Sequence, residues 1–312
     1  MTQRIQFGSQ SSTEFSQLGS SETIREVSFD FELYVQHGVL HKKSVNLKNL
    51  EWLIGFTEGD GSFIVSKNRN FFILTQKSYK TLCKVKKILG FGSVSKAGNY
   101  FRYIVADQQG VFKLICLFNG NLILNKTKER FKRWLLNYNQ YANTNICYKS
   151  GSKLTNYHNN GWLSGFIDAE GCFYALYRKD RLLSIRLSLF IDQKGEKDIL
   201  ENIAKDFEGD VVKRLISQTS DLPSLSEVEY PMFRISIAST MGRNKLVRYI
   251  QQYNLLGDKH ISYLRWKRIH DLIPVYKTKS REKTTYLNGD QNAVMNLNLV
   301  KLANLCKKIN KR

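Results

Sequence analysis

One short segment occurs twice in this chain, and that constrains the fold more than any other feature. WLIGFTEGDGSF (Trp52 to Phe63) returns as WLSGFIDAEGCF (Trp162 to Phe173), with eight of twelve positions chemically matched: Trp, Leu, Gly, Phe, an acid, a second acid, Gly and Phe. Each copy leads into strand-like alternation. Then comes TQKSYKTLCKVKKILGFG in one half and DQKGEKDILENIAKDFEG in the other, both reading as a helix. Further strands follow, and a last helix ends near Trp134 or Trp266. A unit of helix, two strands, helix, two strands, helix is therefore present in duplicate.

The repeated segment reads as a helix with small residues on one face. Gly55 and Gly59 lie four apart, as do Gly161, Gly165 and Ala169 in the second copy. Such spacing lets two helix backbones approach closely. A helical Gly costs about 1 kcal/mol relative to Ala, so its use in both copies points to a packing role. The copies are expected to pack on each other through these faces about a pseudo-twofold axis. Gly61 and Gly171 are expected to end the helices in the left-handed conformation.

Asp60 and Glu170 then stand at helix C-termini, where the macrodipole disfavours a carboxylate by ~0.3–1 kcal/mol. Brought together on an axis, they also repel each other. A bound cation removes both objections, and hard oxygen ligands of this kind suit Mg²⁺.

The surrounding chain divides by composition. Residues 1–46 form a polar N-terminal extension rich in Ser, Gln and Gly, with no stable structure expected from Met1 to Arg25. Glu14 and Glu22 make it a poor transit peptide. The repeats occupy 47–140 and 161–274, joined by a polar linker at 141–160. Residues 275–312 form a basic tail in which Leu297, Val300 and Leu305 mark one helical face, expected as a terminal helix docked on the body, with a separate RNA-binding arm as the alternative. The 42% hydrophobic and 12% aromatic content supplies a core and excludes global disorder. No apolar run reaches the ~18 residues of a membrane span. Five scattered cysteines, never in a CxxC pair, argue against a disulfide framework or zinc knuckle and for a reducing compartment. Against 27 acids stand 48 Lys and Arg, a formal +21, which calls for a polyanionic partner, nucleic acid first and an anionic membrane surface a distant second.

The nonapeptides LIGFTEGDG (Leu53 to Gly61) and LSGFIDAEG (Leu163 to Gly171) resemble the motif of the LAGLIDADG homing endonucleases, in the double-motif, single-chain form. The resemblance covers roughly residues 47–272. It implies an α+β fold of two pseudo-symmetric αββαββα repeats packed through the motif helices, with antiparallel sheets forming a saddle over double-stranded DNA. It further implies that Asp60 and Glu170 hold two or more divalent ions between the scissile phosphates, helped by the carbonyls of Gly59 and Ala169. Both strands would be cut near the axis, leaving 3′ overhangs. Gln76 in LTQK and Gln193 in IDQK match the family glutamine beside the metals. Lys126 in LNKTK and Lys259 in GDKHI match the lysine that opens the last helix, with Lys128 an alternative to Lys126.

Period-2 alternation divides the strands into a core face and a groove face. In SIRLSLFI, Ile185, Leu187, Leu189 and Ile191 face the core, while Ser184, Arg186, Ser188 and Phe190 face outward. Ser62, Ser66 and Asn68 are likewise expected outward against Phe63 and Val65, and Arg234 and Ser236 outward against Phe233, Ile235 and Ile237. With Ile64, Asn70, Arg102, Arg178 and Lys213, these outward positions are the expected DNA contacts in the major groove. A half-exposed sheet facing water gives the same alternation but leaves +21 unexplained. Because the two halves differ in these residues, the target is expected to be asymmetric and about two helical turns long.

Two rivals use the same scaffold: an intron RNA maturase, and a transcription regulator that has lost catalysis. Intact acids in both copies favour cleavage. The five histidines form no HNH arrangement, and no P-loop is present. A monomer acting without a membrane is expected, with its host intron RNA as a further partner. Heavy use of Asn, Lys, Ile, Tyr and Phe suits an AT-rich coding sequence, and with the resemblance this points to a mitochondrion or other organelle.

Overall fold

The computed structural model describes residues 29–37, 45–151, 156–178, 184–214, 231–282 and 302–309. A short α1 (Glu32–Gln36) precedes the first unit. That unit runs α2 (Leu47–Asp60), β1 (Gly61–Ser66), β2 (Arg69–Gln76), α3 (Tyr79–Leu89), β3 (Ser93–Ala97), β4 (Tyr100–Val105), α4 (Gln108–Phe118) and α5 (Asn125–Ala142). The second repeats the order as α6 (Trp162–Glu170), β5 (Gly171–Arg178), β6 (Ser184–Lys194), α7 (Lys197–Phe207), β7 (Asp210–Arg214), β8 (Met232–Ile237), α8 (Thr240–Gln252) and α9 (Lys259–Glu282). The two antiparallel sheets share one topology, β1-β2-β4-β3 and β5-β6-β8-β7. The α+β duplication is as expected, with one helix more per unit (α4, α8) before the last.

Local chemistry sets the element ends. Asn46, Ser78, Asp107 and Ser239 cap α2, α3, α4 and α8 by accepting main-chain N–H bonds. The β1–β2 hairpin turns through Lys67 and Asn68, both left-handed, as a two-residue turn with the twist of its strands requires. Gly61 and Gly171 are not left-handed as expected. Their φ values of −86° and −66° are extended, because each strand starts directly off its helix. A Cβ at Gly61 would sit 2.5 Å from the Thr57 carbonyl oxygen, and one at Gly171 2.7 Å from that of Ile167. Glycine is needed for space here, not for φ.

On each sheet the inner face is packed with aromatics. Phe63 lies within 5.5 Å, centroid to centroid, of Phe72, Phe118, Phe131 and Trp134. Phe173 meets Tyr263 and Trp266 at the matching place.

The flanking segments contribute more to the core than their composition suggests. Phe29, Phe31 and Tyr34 are buried, and the segment is pinned where Asn121 Oδ1 accepts from the Asp30 amide at 2.9 Å. Part of the expected polar extension is thus core, while residues 1–28 lie outside the described set. The linker is fastened by side-chain amides: Asn139 bonds both main-chain groups of Ile146, and Asn119 those of Cys147 and Lys149. Tyr157 and Asn160, farther along it, are buried. Helix α9 continues through Pro274, so the expected end of the repeat at 274 falls inside an element. In the tail, α10 (302–309) buries Leu302, Cys306 and Ile309. Leu305 is half-buried, and the other two expected face residues, Leu297 and Val300, lie outside the described residues.

Candidate active centre at the helix crossing

Helices α2 and α6 cross in near contact. A Cβ on Gly55 would overlap the Trp162 carbonyl oxygen, and one on Gly165 would overlap that of Trp52. Gly59 faces the Ala169 methyl, and a Cβ on Gly161 would lie 2.8 Å from the Lys48 carbonyl oxygen. All five small residues singled out by spacing lie at this seam.

The crossing brings Asp60 and Glu170, the last residues of the two helices, to one half-buried place. Burial, then the charge of Glu170, pushes the Asp60 carboxyl up to about 7, against the pull of Lys259 and Gln76. Burial also raises Glu170, with Lys259 opposing and Asp192 adding to the rise. Gln76 Nε2 donates to Asp60 Oδ2 at 2.5 Å, and the Gln193 side chain, the matching residue of the second unit, works against the rise at Glu170. Lys259 Nζ donates to the Ala169 carbonyl at 2.5 Å. Burial lowers its pKa, while Asp60, Asp168 and Glu170 all pull it back up. The carbonyl of Ala169, expected beside a metal, is thus engaged by an ammonium.

Each motif's first acid has a different job. Glu58 is buried, and its Oε1 accepts from the amides of Ile123 and Leu124 at 2.8 and 2.7 Å. Its Oε2 accepts from the Trp162 indole at 2.6 Å, across the seam. Asp168 Oδ2 does the same for Leu256, Gly257 and Trp52, at 2.7, 2.8 and 2.9 Å. These acids tie the loops before α5 and α9 to the opposite helix. Spacing gave no sign of this role, although the Trp-to-acid repetition carried it.

The two lysines are not equivalent. Counted from the clamped amides, Lys126 stands two residues past Leu124 as Lys259 stands two past Gly257. Counted from the packed tryptophans, Lys259 is seven before Trp266, and seven before Trp134 stands Thr127. The first unit has one residue more in this stretch. Thr127 is buried, and Lys126 is exposed, its amide and that of Asn125's side chain held by Glu196 of the second unit. The Lys126 charge still acts on Glu170, whereas Lys128 acts on Glu58 and Glu196.

Strand register sorts the expected contact residues. Ser62, Ile64 and Ser66 pair with Ile73, Phe71 and Arg69, and Arg102 with Thr75 and Ser95, on the face away from the core. Arg186, Arg234 and Ser236 hold the corresponding face of the second sheet, and Asn68 is exposed in the hairpin turn. Four expectations fail. Asn70 points inward: it is buried, donates to the Trp134 carbonyl at 2.7 Å and accepts from Asn137. Val65, paired with Asn70 on that inner face, is nevertheless exposed, because it lies beyond the packed aromatics. Ser188 has the outward parity but is fully buried, opposite Tyr174 and next to the Tyr174–Phe190 ring pair. Lys213 pairs with the inward Phe233 and so lies on the wrong face, whereas Val212 and Arg214 share the face of Arg234. The strands that carry Arg178 and Ser184 are described, but their side chains lie outside the described residues.

Sequence reasoning missed one group on this face. Asp192 accepts two bonds from Arg234, at 2.7 and 2.6 Å, and one from Arg214 at 3.1 Å. The Arg234 guanidinium also lies 4.8 Å over the Phe190 ring. Only cross-strand register brings these four residues together.

A duplicated αββαββα-type scaffold with two acids converging at a helix crossing, under two antiparallel sheets, defines the class of double-motif endonuclease folds. A family model described as LAGLIDADG endonuclease matches residues 53–138 and 163–270. The chain belongs to the LAGLIDADG endonuclease family. It is 36% identical over 231 residues to "Probable intron-encoded endonuclease 4" of Neurospora crassa, a match covering 71% of this chain and 40% of that relative's length. It is 27% identical over 168 residues to "Intron-encoded RNA maturase bI4" of Saccharomyces cerevisiae, covering 53% of this chain and 25% of that one. Its fold is that of the meganuclease I-SmaMI, solved bound to uncleaveable DNA: TM-score 0.63 and 16% identity, over 86% of this chain and all of that one.

Proposed function

We propose that this protein is a site-specific double-strand DNA endonuclease that recognises a long asymmetric target, hydrolyses both strands with divalent metal and leaves 3′ overhangs. The observation that carries this is the pair Asp60 and Glu170, two carboxylates held together in a half-buried site against their own repulsion. The donor set fits a hard cation: two carboxylates, the Gly59 carbonyl and two flanking glutamine side chains, with the Ala169 carbonyl joining them once Lys259 turns from it to a phosphate. Asp60 and Glu170 would hold Mg²⁺ there. When bound, the ion supplies charge neutralisation at phosphorus and a more acidic water.

The chain's own groups do the rest. Gln76 fixes the orientation of the Asp60 carboxylate through its amide, and Gln193 favours the ionised form of Glu170. Lys259 balances the paired acids and provides a cation next to them where a phosphate would sit. Lys126 acts from the surface. The outer sheet faces, with Ser62, Ile64, Ser66, Asn68, Arg102, Arg186, Arg234 and Ser236, bind the duplex, and the surplus of basic residues holds its phosphates.

The intron-encoded relative suits a protein of a mitochondrion or other organelle, acting as a monomer. Similarity to a maturase also supports a second reading, assistance to its host intron RNA. Cleavage selection on a randomised duplex library with Mg²⁺ separates the two. Enrichment of one long site, cut on both strands and spared by Asp60→Asn with Glu170→Gln, is the expected result. Selective binding without cutting would favour the maturase.

A further inference from the structure

We propose that Arg234, pre-oriented by Asp192, reads a guanine at the inner end of the half-site covered by the second sheet, and that this position is the most stringently specified in that half. The inference rests on the proposed DNA-facing role of the sheets.

Arg234 is held along one edge and on one face. Its Nε and Nη2 donate to the two oxygens of Asp192, its cross-strand partner, at 2.7 and 2.6 Å. Phe190 lies under the guanidinium plane at 4.8 Å. A guanidinium has five donors, so this bidentate edge leaves Nη1 and the second Nη2 hydrogen as an unspent fork. A fork of two parallel N–H donors matches guanine O6 and N7 in the major groove. Because the side chain is already ordered, little rotamer freedom is lost on docking.

Asp192 itself does not read a base: its two oxygens already accept three bonds from two arginines. It therefore acts as a positioning residue, and its charge keeps the fork from drifting to a phosphate. Location follows from register: Gly171, directly after Glu170, pairs with Ile191, directly before Asp192. The guanine lies next to the scissile region rather than at the outer end of the site.

The first unit provides an internal control. Arg102 pairs with Thr75 as Arg234 pairs with Asp192, and each pair directly precedes a glutamine–phenylalanine pair, Gln76 with Phe101 and Gln193 with Phe233. Thr75 has no charge with which to hold an arginine. The first half-site is accordingly less stringent at the equivalent base.

The test is selection of bound duplexes from a randomised library in EDTA, which bars cleavage, with wild type, Arg234→Ala, Arg234→Lys, Asp192→Asn and Arg102→Ala. The wild type is expected to fix one guanine at the inner end of one half-site, beside the scissile region. Arg234→Ala should flatten that position alone, by about 5- to 150-fold in discrimination. Arg234→Lys, which retains the charge and the stem, should lose the same guanine while holding overall affinity. Asp192→Asn should blur it, and Arg102→Ala should weaken binding with little change at any single base. Uniform loss across all sequences in the Arg234 variants would show a phosphate contact and overturn the inference. So would an unchanged guanine, or loss of a cytosine in Asp192→Asn. If the wild type enriches no duplex at all, the DNA-binding reading falls, and this inference with it.

Discussion

The Trp52 indole donates to the buried Asp168 carboxylate across the helix seam at 2.9 Å, and the same oxygen holds the two amides that lead into α9. Removing the acid strands three donors, two of them buried and one partly buried. Asp168→Ala is therefore expected to cost more than about 3 kcal/mol, at 1–3 kcal/mol per unsatisfied group. Glu58→Ala should cost a similar amount for the same reason. Urea denaturation of both variants, against a surface acid such as Glu201→Ala, checks this.

Gly55→Ala and Gly165→Ala place a methyl group onto opposing main chain, where no rotamer relieves the overlap. The helices must separate. A loss of about 1–3 kcal/mol or more is expected from overpacking, with cleavage failing as Asp60 and Glu170 move apart. Thermal denaturation alongside an activity assay tests both effects.

Asp60 and Glu58 are each raised to about 7 in the folded protein, and Glu170 and Asp168 are raised as well. Unfolded carboxyls titrate near about 4. The folded state therefore binds more protons in between, and this stability is full below that range and is lost as pH rises to about 7. Metal-free protein should lose stability across this window. Asp60→Asn should flatten the slope, and Mg²⁺ should restore more stability at pH 8 than at pH 5. Melting curves with and without EDTA give the answer, and an identical slope in Asp60→Asn would contradict it.

Lys259→Met removes a cation that faces both motif acids. It should lower single-turnover cleavage by about a hundredfold or more. Lys126→Met removes an exposed one and should cost far less, because the buried place matching Lys259 in the first unit is filled by Thr127. Equal losses would mean the two lysines act alike.

Truncation to residue 45 removes Phe29, Phe31 and Tyr34 from their packing site. A buried aromatic side chain contributes about 1.5–3 kcal/mol as an upper estimate, so a loss of several kcal/mol is expected in urea titrations.

The motif helices, the order of elements and the paired acids were legible because a twofold repetition of Trp, Gly, acid and Gly leaves few architectures open. What strand parity could not show was which residues the ends of the sheet and its neighbours would claim. Asn70 alternates correctly on paper only if the count starts a residue away from where the hairpin turns, at Lys67 and Asn68. Lys213 fell on the wrong face because parity within one short strand has no reference until its pairing with Phe233 is known. Asp192, Arg234 and Arg214 lie on three strands and meet only through register. Phe29, Phe31 and Tyr34 escaped notice because so short a segment has no period to detect.

The seam between α2 and α6 is tight enough to refuse a single methyl group, and both sides of it belong to one polypeptide. The two acids are therefore assembled at a fixed ratio that dilution does not disturb, since the second helix is present at the effective concentration set by its tether. A molecule made in very few copies keeps a complete centre. The outer faces of the sheets, which take no part in that contact, remain free to diverge from each other residue by residue.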